Sequence, residues 1–170
     1  MSFPPNPRTP EPSNYEPPNS RTLEPPNPRT LEPPNPQTPE PSNLPIMQTL
    51  LSKYTPVVES EVKIWFKAGP IHDFPDNAGA CVKYQDKQIA VFHFTAQGRW
   101  YACQNLCPHR MEMVLSRGLI GDEKGEPKVA CPMHKRTFSL LTGENLNGDC
   151  GTIAVYPVKV TDGEVYIGFS

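Results

Sequence analysis

The sequence predicts an all-β domain of antiparallel sheets over residues 62–170. Three observations support this fold class. Short segments rich in β-branched and aromatic residues recur through this part of the chain, and such segments typically form strands. Turn signals separate them, among them Asp162-Gly163, a pair that favours a tight hairpin turn. The composition of this part is that of an ordinary globular domain, which can bury a single core.

Before this domain, residues 47–61 are predicted to form a short helix and a linker. Leu50, Leu51 and Tyr54 share one helical face. Pro56 ends the helix, because the residue before a proline is disfavoured in helical backbone geometry. A helix of one or two turns is unstable by itself in water, so we expect it to pack against the domain.

The strands of the domain are predicted in chain order, and the first four form an antiparallel meander because turns join them. In residues 89–95, Phe92 and Phe94 share one face and His93 lies on the other, as the two-residue period of a strand requires. The glycines predicted to form turns between the fourth and fifth strands are Gly118, Gly121 and Gly125. The predicted strands are VKIWFKA from Val62, ACVKY from Ala80, IAVFHFT from Ile89, RWYACQN from Arg99, KVA from Lys128, the start of TFSLLTGENLNG from Thr137, TIAVYPVKV from Thr152 and EVYIGF from Glu164.

Residues 1–46 are predicted to form a disordered, proline-rich tail. Sixteen of the 23 prolines precede Met47, and residues 3–43 repeat octapeptides such as EPPNPRTL. Proline favours extended polyproline II, and the tail lacks the apolar surface that would offset the entropy of ordering. We interpret it as a spacer, with a ligand for a proline-recognising domain as the alternative. Because the octads resemble a tandem nucleotide repeat read in frame, we expect the native protein to begin at Met47.

Charge and cysteine content restrict the class of protein. The formal net charge of −2 argues against nucleic acid or an anionic membrane as the main partner. The chain has no apolar run of the length that spans a membrane and no secretory signal pattern. Its five cysteines do not form a disulfide framework. We therefore expect a cytoplasmic protein.

Two short segments, Cys107-Pro108-His109 and Cys131-Pro132-Met133-His134, each contain one thiol and one imidazole. A Rieske-type 2Fe-2S cluster requires two Cys thiolates on one iron and two neutral His nitrogens on the other. The proline between the first pair keeps its segment extended, and the second pair is close enough in sequence to turn inward together. We therefore predict that Cys107, His109, Cys131 and His134 are the ligands of one such cluster.

A tetrahedral zinc site is the alternative for this set, because Cys2His2 also suits Zn²⁺. Zinc sites usually repeat like with like, as C-x-x-C followed by H-x-x-x-H. Each segment here mixes sulfur and nitrogen, which favours the iron–sulfur cluster. His72 and His93 are interpreted as structural or surface residues, and Cys103 as a packed residue near the first loop.

The segments CPHRMEMVLSRGLIG and CPMHKRTFSLLTGENL resemble the Rieske-type small subunit of NAD(P)H-dependent assimilatory nitrite reductase. The resemblance runs from about Trp65 to Phe169 and depends on the CPH opening, the VLSRG segment, the long insert before CPMH and the Lys135-Arg136 pair. It implies a Rieske-like iron–sulfur domain with the ligand loops at one tip. In that family a large subunit carries FAD, a 4Fe-4S cluster and sirohaem and reduces nitrite to ammonium. The resemblance therefore implies a redox subunit that assists this large subunit and has no complete active site of its own. Many bacterial small subunits lack the four ligands, whereas this sequence has them all.

Two other functions remain open at this point. A free Rieske ferredoxin that supplies a ring-hydroxylating dioxygenase also fits a small, separate chain, and a binding module with a structural metal fits the same ligands. No glycine-rich nucleotide pattern follows a predicted strand, so electrons must come from a partner. His109 and His134 are the expected electron port, and Lys135 and Arg136 either steer an acidic docking surface or are ordinary solvated charges.

The ligand loops also differ from those of Rieske proteins of the cytochrome bc type. In that comparison, Glu112 and Met133 occupy the places of two cysteines that form a bracing disulfide. Arg136 and Phe138 occupy the places of a Ser and a Tyr that donate hydrogen bonds toward the cluster. Fewer donors stabilise the reduced cluster less, so we predict a reduction potential at the low end of the Rieske range of about −150 to +300 mV.

Overall fold

The computed structural model describes residues 44–170. The octapeptide repeats predicted to be disordered lie outside the described residues, and the native start at Met47 stays a prediction. Helix α1 spans Leu44–Ser52 and so begins three residues before the predicted start. Leu50 and Leu51 pack against the apolar core, which confirms the expected packing of this helix. Among the described residues, no helix has the length and apolar character needed to cross a membrane.

Strands form most of the regular structure, which confirms the all-β fold class. Four short 3-10 helices connect them within residues 44–170, at Glu59–Glu61, Ile71–Asp73, Thr95–Gln97 and Leu115–Arg117. In this part of the chain the strands are β1 Ile64–Pro70, β2 Gly79–Tyr84, β3 Lys87–Phe94, β4 Arg99–Gln104, β5 Leu106–Cys107, β6 Glu112–Met113, β7 Leu119–Glu123, β8 Glu126–Ala130, β9 Thr137–Ser139, β10 Val155–Tyr156, β11 Val158–Thr161 and β12 Glu164–Phe169.

The strands form two larger and two smaller antiparallel sheets. The larger sheets have the orders β10-β4-β3-β2 and β1-β12-β11. The smaller sheets, β5-β6 and β7-β8-β9, carry the two ligand segments. The predicted meander is confirmed for β2, β3 and β4. Strand β1, however, pairs with β12, the last strand of the chain. Its inclusion in the meander was therefore wrong, because strand pairing depends on long-range contacts as well as on turns.

Two further element predictions were wrong. The single strand predicted over residues 152–160 is divided at Pro157, with β10 paired to β4 and β11 paired to β12. Proline lacks the N–H that would continue a ladder. The turn predicted at Gly121 is absent from the described structure, because Gly121 lies inside β7 opposite Lys128. The next turn uses Lys124 and Gly125, both with positive φ, at 57° and 87°.

Strand β3 separates two apolar cores. Ile89 and Val91 on one face belong to a core that we call the body core, together with side chains of α1, β1 and β12. Phe92 and Phe94 on the other face belong to a second core that also contains Cys107 and Cys131, which we call the tip core. The alternation predicted for this strand is confirmed, and both of its faces are largely buried.

Candidate metal centre

The two ligand segments form two loops with the same backbone closure. In the first loop, the Met111 N–H donates to the Cys107 carbonyl at 2.9 Å. In the second, the Lys135 N–H donates to the Cys131 carbonyl at 2.9 Å. Met111 and Lys135 both adopt left-handed backbone geometry, with φ of 58° and 56°. Each loop therefore turns back on its cysteine at the fourth residue beyond it, which holds both thiols at the base of a closed turn.

The two loops bring the two cysteines together and the two histidines together. Cys107 and Cys131 are each 1% exposed and lie together in the tip core. The rings of His109 and His134 meet edge to face with centroids 4.9 Å apart. Both imidazoles are half-buried. The structure thus brings all four predicted ligands together as a buried sulfur pair and a more accessible nitrogen pair.

Both imidazoles have an unpartnered buried nitrogen. The Nδ1 atoms of His109 and His134 are buried and have no hydrogen-bond partner within residues 44–170. A buried polar atom without a partner is costly, and a metal ion would remove that cost. Two orphaned imidazole nitrogens beside two adjacent thiols fit the donor set of a Rieske 2Fe-2S cluster. No group of three or more His, Cys, Asp or Glu side chains in the described part has an arrangement suited to a single metal ion.

The surroundings of Cys107 and His109 oppose charge on these two side chains. Burial raises the pKa of the Cys107 thiol to about 12; a backbone hydrogen bond at His109 lowers this pKa, and the contact with Cys131 raises it. Burial also lowers the pKa of His109, and the positive charge of Arg136 adds to that decrease. The imidazole is therefore held neutral, the form that coordinates iron, whereas the thiol must lose a proton on metal binding.

A third loop, residues 147–151, lies against both ligand loops. Asp149 accepts an ion-paired hydrogen bond from the Arg136 guanidinium at 2.8 Å. Cys150 packs against the tip core, and a Cβ added to Gly151 would lie 3.9 Å from Pro108 in the first ligand loop. Sequence reasoning assigned no role to this loop, and its residues carry no recognisable ligand motif.

Two buried side-chain amides just before the first ligand loop hold that loop in place. Sequence reasoning did not identify their role. The Gln104 side chain donates to the Leu106 carbonyl at 2.6 Å and accepts from the Ala154 N–H at 2.9 Å. The Asn105 side chain accepts from the Ser116 N–H at 2.7 Å. Both amides are 2% exposed. The signal in the sequence was two consecutive amides at the end of an apolar strand, just before a ligand cysteine.

The other histidines and the charged pair occupy different environments. His93 stacks on Trp100 with ring centroids 4.0 Å apart, and the His72 side chain is 83% exposed. Neither belongs to the group of four. Lys135 is exposed, whereas the Arg136 side chain is only 32% exposed and is ion-paired. Arg136 is therefore neither a free docking charge nor an ordinary solvated one.

Comparisons with known proteins match most of the domain. A family model described as Rieske-like 2Fe-2S domain matches residues 64–168. The nitrite reductase (NADH) small subunit of Escherichia coli K12 is 32% identical over 103 residues, which cover 61% of this chain and 95% of that protein. The NAD(P)H nitrite reductase of Emericella nidulans is 38% identical over 119 residues, which cover 67% of this chain but only 10% of that protein.

A solved structure shows the same fold. The solution structure of the NAD(P)H nitrite reductase small subunit from Erwinia carotovora superposes with a TM-score of 0.54 and 31% identity, covering 62% of this chain and 82% of that one. The chain thus spans about a tenth of the Emericella relative and nearly all of the Escherichia coli small subunit. It belongs to the Rieske-like 2Fe-2S domain family, within the group formed by the small subunits of NAD(P)H-dependent nitrite reductase.

Proposed function

We propose that this chain is the Rieske-type electron-transfer subunit that assists a larger reductase in the NAD(P)H-dependent reduction of nitrite to ammonium. The observation that carries this proposal is the arrangement of the four side chains, with both cysteines buried in the tip core and the two histidine rings edge to face. That arrangement matches a diiron centre with different ligands on its two irons. The reaction itself, the reduction of nitrite, is inferred from the relatives that are named as nitrite reductases.

We assign the ligands by their positions. Cys107 and Cys131 would hold one iron through their thiolates, and His109 and His134 would hold the other through Nδ1. The cluster, when bound, supplies a one-electron redox centre. Around it, the buried cysteines exclude water from the sulfur side, and the closed loop turns fix the direction of each ligand.

The imidazole side is the part of the site that a partner can approach. His109 and His134 are half-buried, and Met133, between the second pair of ligands, is 57% exposed. A partner that approaches the imidazoles would cover Met133 and meet the positive charge of Lys135, which is exposed. We propose that the large subunit docks on this face.

The partner is proposed from the relatives as well. In the Emericella protein the matching region is a tenth of a much longer chain, whereas in Escherichia coli it is nearly a whole subunit. A domain found both within a longer reductase and as a separate subunit is expected to act beside the same catalytic machinery. FAD, sirohaem and the 4Fe-4S cluster would belong to the large subunit, and the pair would work in the cytoplasm, where NAD(P)H is available.

The experiment uses the purified chain after anaerobic reconstitution, with visible and EPR spectra and iron and zinc analysis. We expect a 2Fe-2S spectrum with nitrogen ligands, lost in His134→Ala and retained in the matched control His72→Ala. A colourless protein that binds one zinc would contradict the proposal. Mixed with the large subunit, the loaded chain should increase nitrite reduction. A loaded chain that leaves nitrite turnover unchanged but reduces a ring-hydroxylating oxygenase would instead identify a ferredoxin.

A further inference from the structure

We propose that Arg136 is a positioning residue that joins the third loop to the second ligand loop and donates its Nε–H to a sulfur atom of the bound cluster or its cysteine ligands. The inference rests on the proposed cluster but not on nitrite as substrate. It assigns a redox-tuning role to a residue outside the ligand set.

The backbone places Arg136 beside the sulfur pair. Its carbonyl accepts a hydrogen bond from the Cys131 N–H at 2.7 Å, across the base of the second loop. Lys135 precedes it in left-handed geometry and turns the chain back toward the cysteine. The Arg136 side chain therefore starts next to a cluster ligand, on the same closed turn.

The guanidinium is anchored at one end. Its Nη2 pairs with an Asp149 carboxylate oxygen at 2.8 Å, and the Asp149 N–H donates to the Asn145 side chain at 3.1 Å. About two thirds of the arginine side chain is buried. Because the guanidinium is planar and its donors are rigidly arranged, fixing Nη2 also restricts where Nε can point.

The opposite edge of the same group lacks an acceptor. Arg136 Nε is buried and has no hydrogen-bond partner within residues 44–170. An arginine N–H always carries a proton and can only donate, so the missing partner must be an acceptor. The Nδ1 atoms of His109 and His134 are also buried and without a partner within residues 44–170. One bound cluster would provide a partner for all three atoms. Its iron would coordinate the imidazole nitrogens, and a sulfur atom would accept the hydrogen bond from the arginine N–H.

This contact has a defined redox consequence. Reduction adds one electron to the cluster and makes its sulfur atoms more negative. A charge-assisted hydrogen bond to sulfur therefore stabilises the reduced state more than the oxidised state and raises the reduction potential. The anchor at Asp149 ties this effect to the third loop, so that loop position and potential are coupled.

The test compares Arg136→Gln, Arg136→Lys and the matched control Lys135→Gln in the full chain loaded with its cluster. We expect Arg136→Gln to lower the equilibrium constant for one-electron reduction about tenfold, a shift of about 59 mV. Lys135→Gln removes a neighbouring exposed positive charge and should change that constant less than twofold, or by less than about 18 mV.

A second readout separates the hydrogen bond from the charge. Electron–nuclear double resonance of the reduced cluster should show a strongly coupled exchangeable proton that disappears in deuterium oxide. We expect this proton to be absent in Arg136→Lys, which keeps the charge but lacks Nε, and to persist in Asp149→Asn, whose amide oxygen can still accept from Nη2 and keep the anchor. If Arg136→Gln fails to load a cluster, Arg136→Lys, which keeps most of the buried stem, takes its place.

The outcomes that overturn the inference are specific. Equal shifts in Arg136→Gln and Lys135→Gln would show a charge effect alone, and an unchanged proton coupling in Arg136→Lys would exclude the Nε donor. In either case the loaded chain can still assist nitrite reduction, so the proposed function survives. A chain that shows the predicted shifts but does not assist the large subunit supports this inference and contradicts the proposed function. A chain that binds no 2Fe-2S cluster contradicts both.

Discussion

Asn105 connects the chain before the first ligand loop to the chain after it. Its buried side chain accepts from the Ser116 N–H and donates to Gln88, at 2.7 and 3.0 Å. Its carbonyl accepts from the N–H groups of Val114 and Leu115. One residue thus holds the strand before the first ligand loop to the chain that follows that loop.

Replacing Asn105 by Ala should lower the free energy of unfolding by about 2–3 kcal/mol, because it leaves a buried backbone N–H without an acceptor. Asn147→Ala is the matched control, since that amide accepts from the Thr137 N–H at 2.7 Å but is exposed. Water can replace an exposed acceptor, so the control should cost about 1 kcal/mol or less. Urea denaturation of both variants measures the difference, and equal losses would contradict the prediction.

The potential is also determined at the residue scale. Phe138 is fully buried in the tip core and has no hydroxyl to donate toward the site. We expect a midpoint in the lower part of the Rieske range of about −150 to +300 mV, even with the contribution proposed for Arg136. A redox titration of the loaded chain that gives a midpoint above about +150 mV would contradict this prediction.

At the scale of elements, two glycines, one just before β7 and one within it, have different structural roles. Gly118 and Gly121 are three residues apart and look alike in sequence, but their surroundings differ. A Cβ at Gly118 would lie 2.6 Å from the Ala130 carbonyl oxygen, whereas a Cβ at Gly121 would meet nothing within 4 Å. Gly118 allows the chain to approach β8 closely, and Gly121 is an ordinary strand position.

Gly118→Ala should therefore destabilise the domain by about 1–3 kcal/mol, because the neighbouring backbone must shift to admit the methyl group. Gly121→Ala should be neutral or stabilise it by up to about 1 kcal/mol, because alanine reduces the freedom of the unfolded chain. Thermal unfolding of the two variants under identical conditions measures the contrast. Similar losses in both would contradict the packing difference.

The same elements show how far sequence reasoning reaches. The segment that became β3 was predicted because its alternation is local and complete. The ligands were predicted because their residue types limit the chemistry. The pairing of β1 with β12 was missed, since it depends on contacts between distant parts of the chain. Gln104 and Asn105 were missed because a buried amide is recognisable only when its partners are known.

At the scale of the whole molecule, we expect the body core and the tip core to depend differently on the bound cluster. The body core joins α1, β1 and β12 to one face of β3 and does not include the ligands. The tip core contains Cys107 and Cys131. Metal binding should therefore contribute mainly to the order of the tip.

Removing the cluster with a chelator should increase amide hydrogen exchange in the two ligand loops and the third loop while β1, β3 and β12 stay protected. The physical reason is that the orphaned imidazole nitrogens and the buried thiols lose their partner, whereas most of the body core lies outside the ligand loops and, within residues 44–170, only Leu106, Met111 and Met113 connect it to the first one. Hydrogen exchange with mass spectrometry on loaded and stripped protein measures this. Uniform loss of protection across the domain would show that the cores are not independent.

The division of the domain by β3 has a consequence for damage and repair. Iron–sulfur centres are vulnerable to oxidants, and a protein built around one is often lost with it. Here an oxidant that destroys the cofactor would leave a folded platform with its loops open. Because the ligands are not part of the body core, we expect the stripped chain to take up a new cofactor without first refolding.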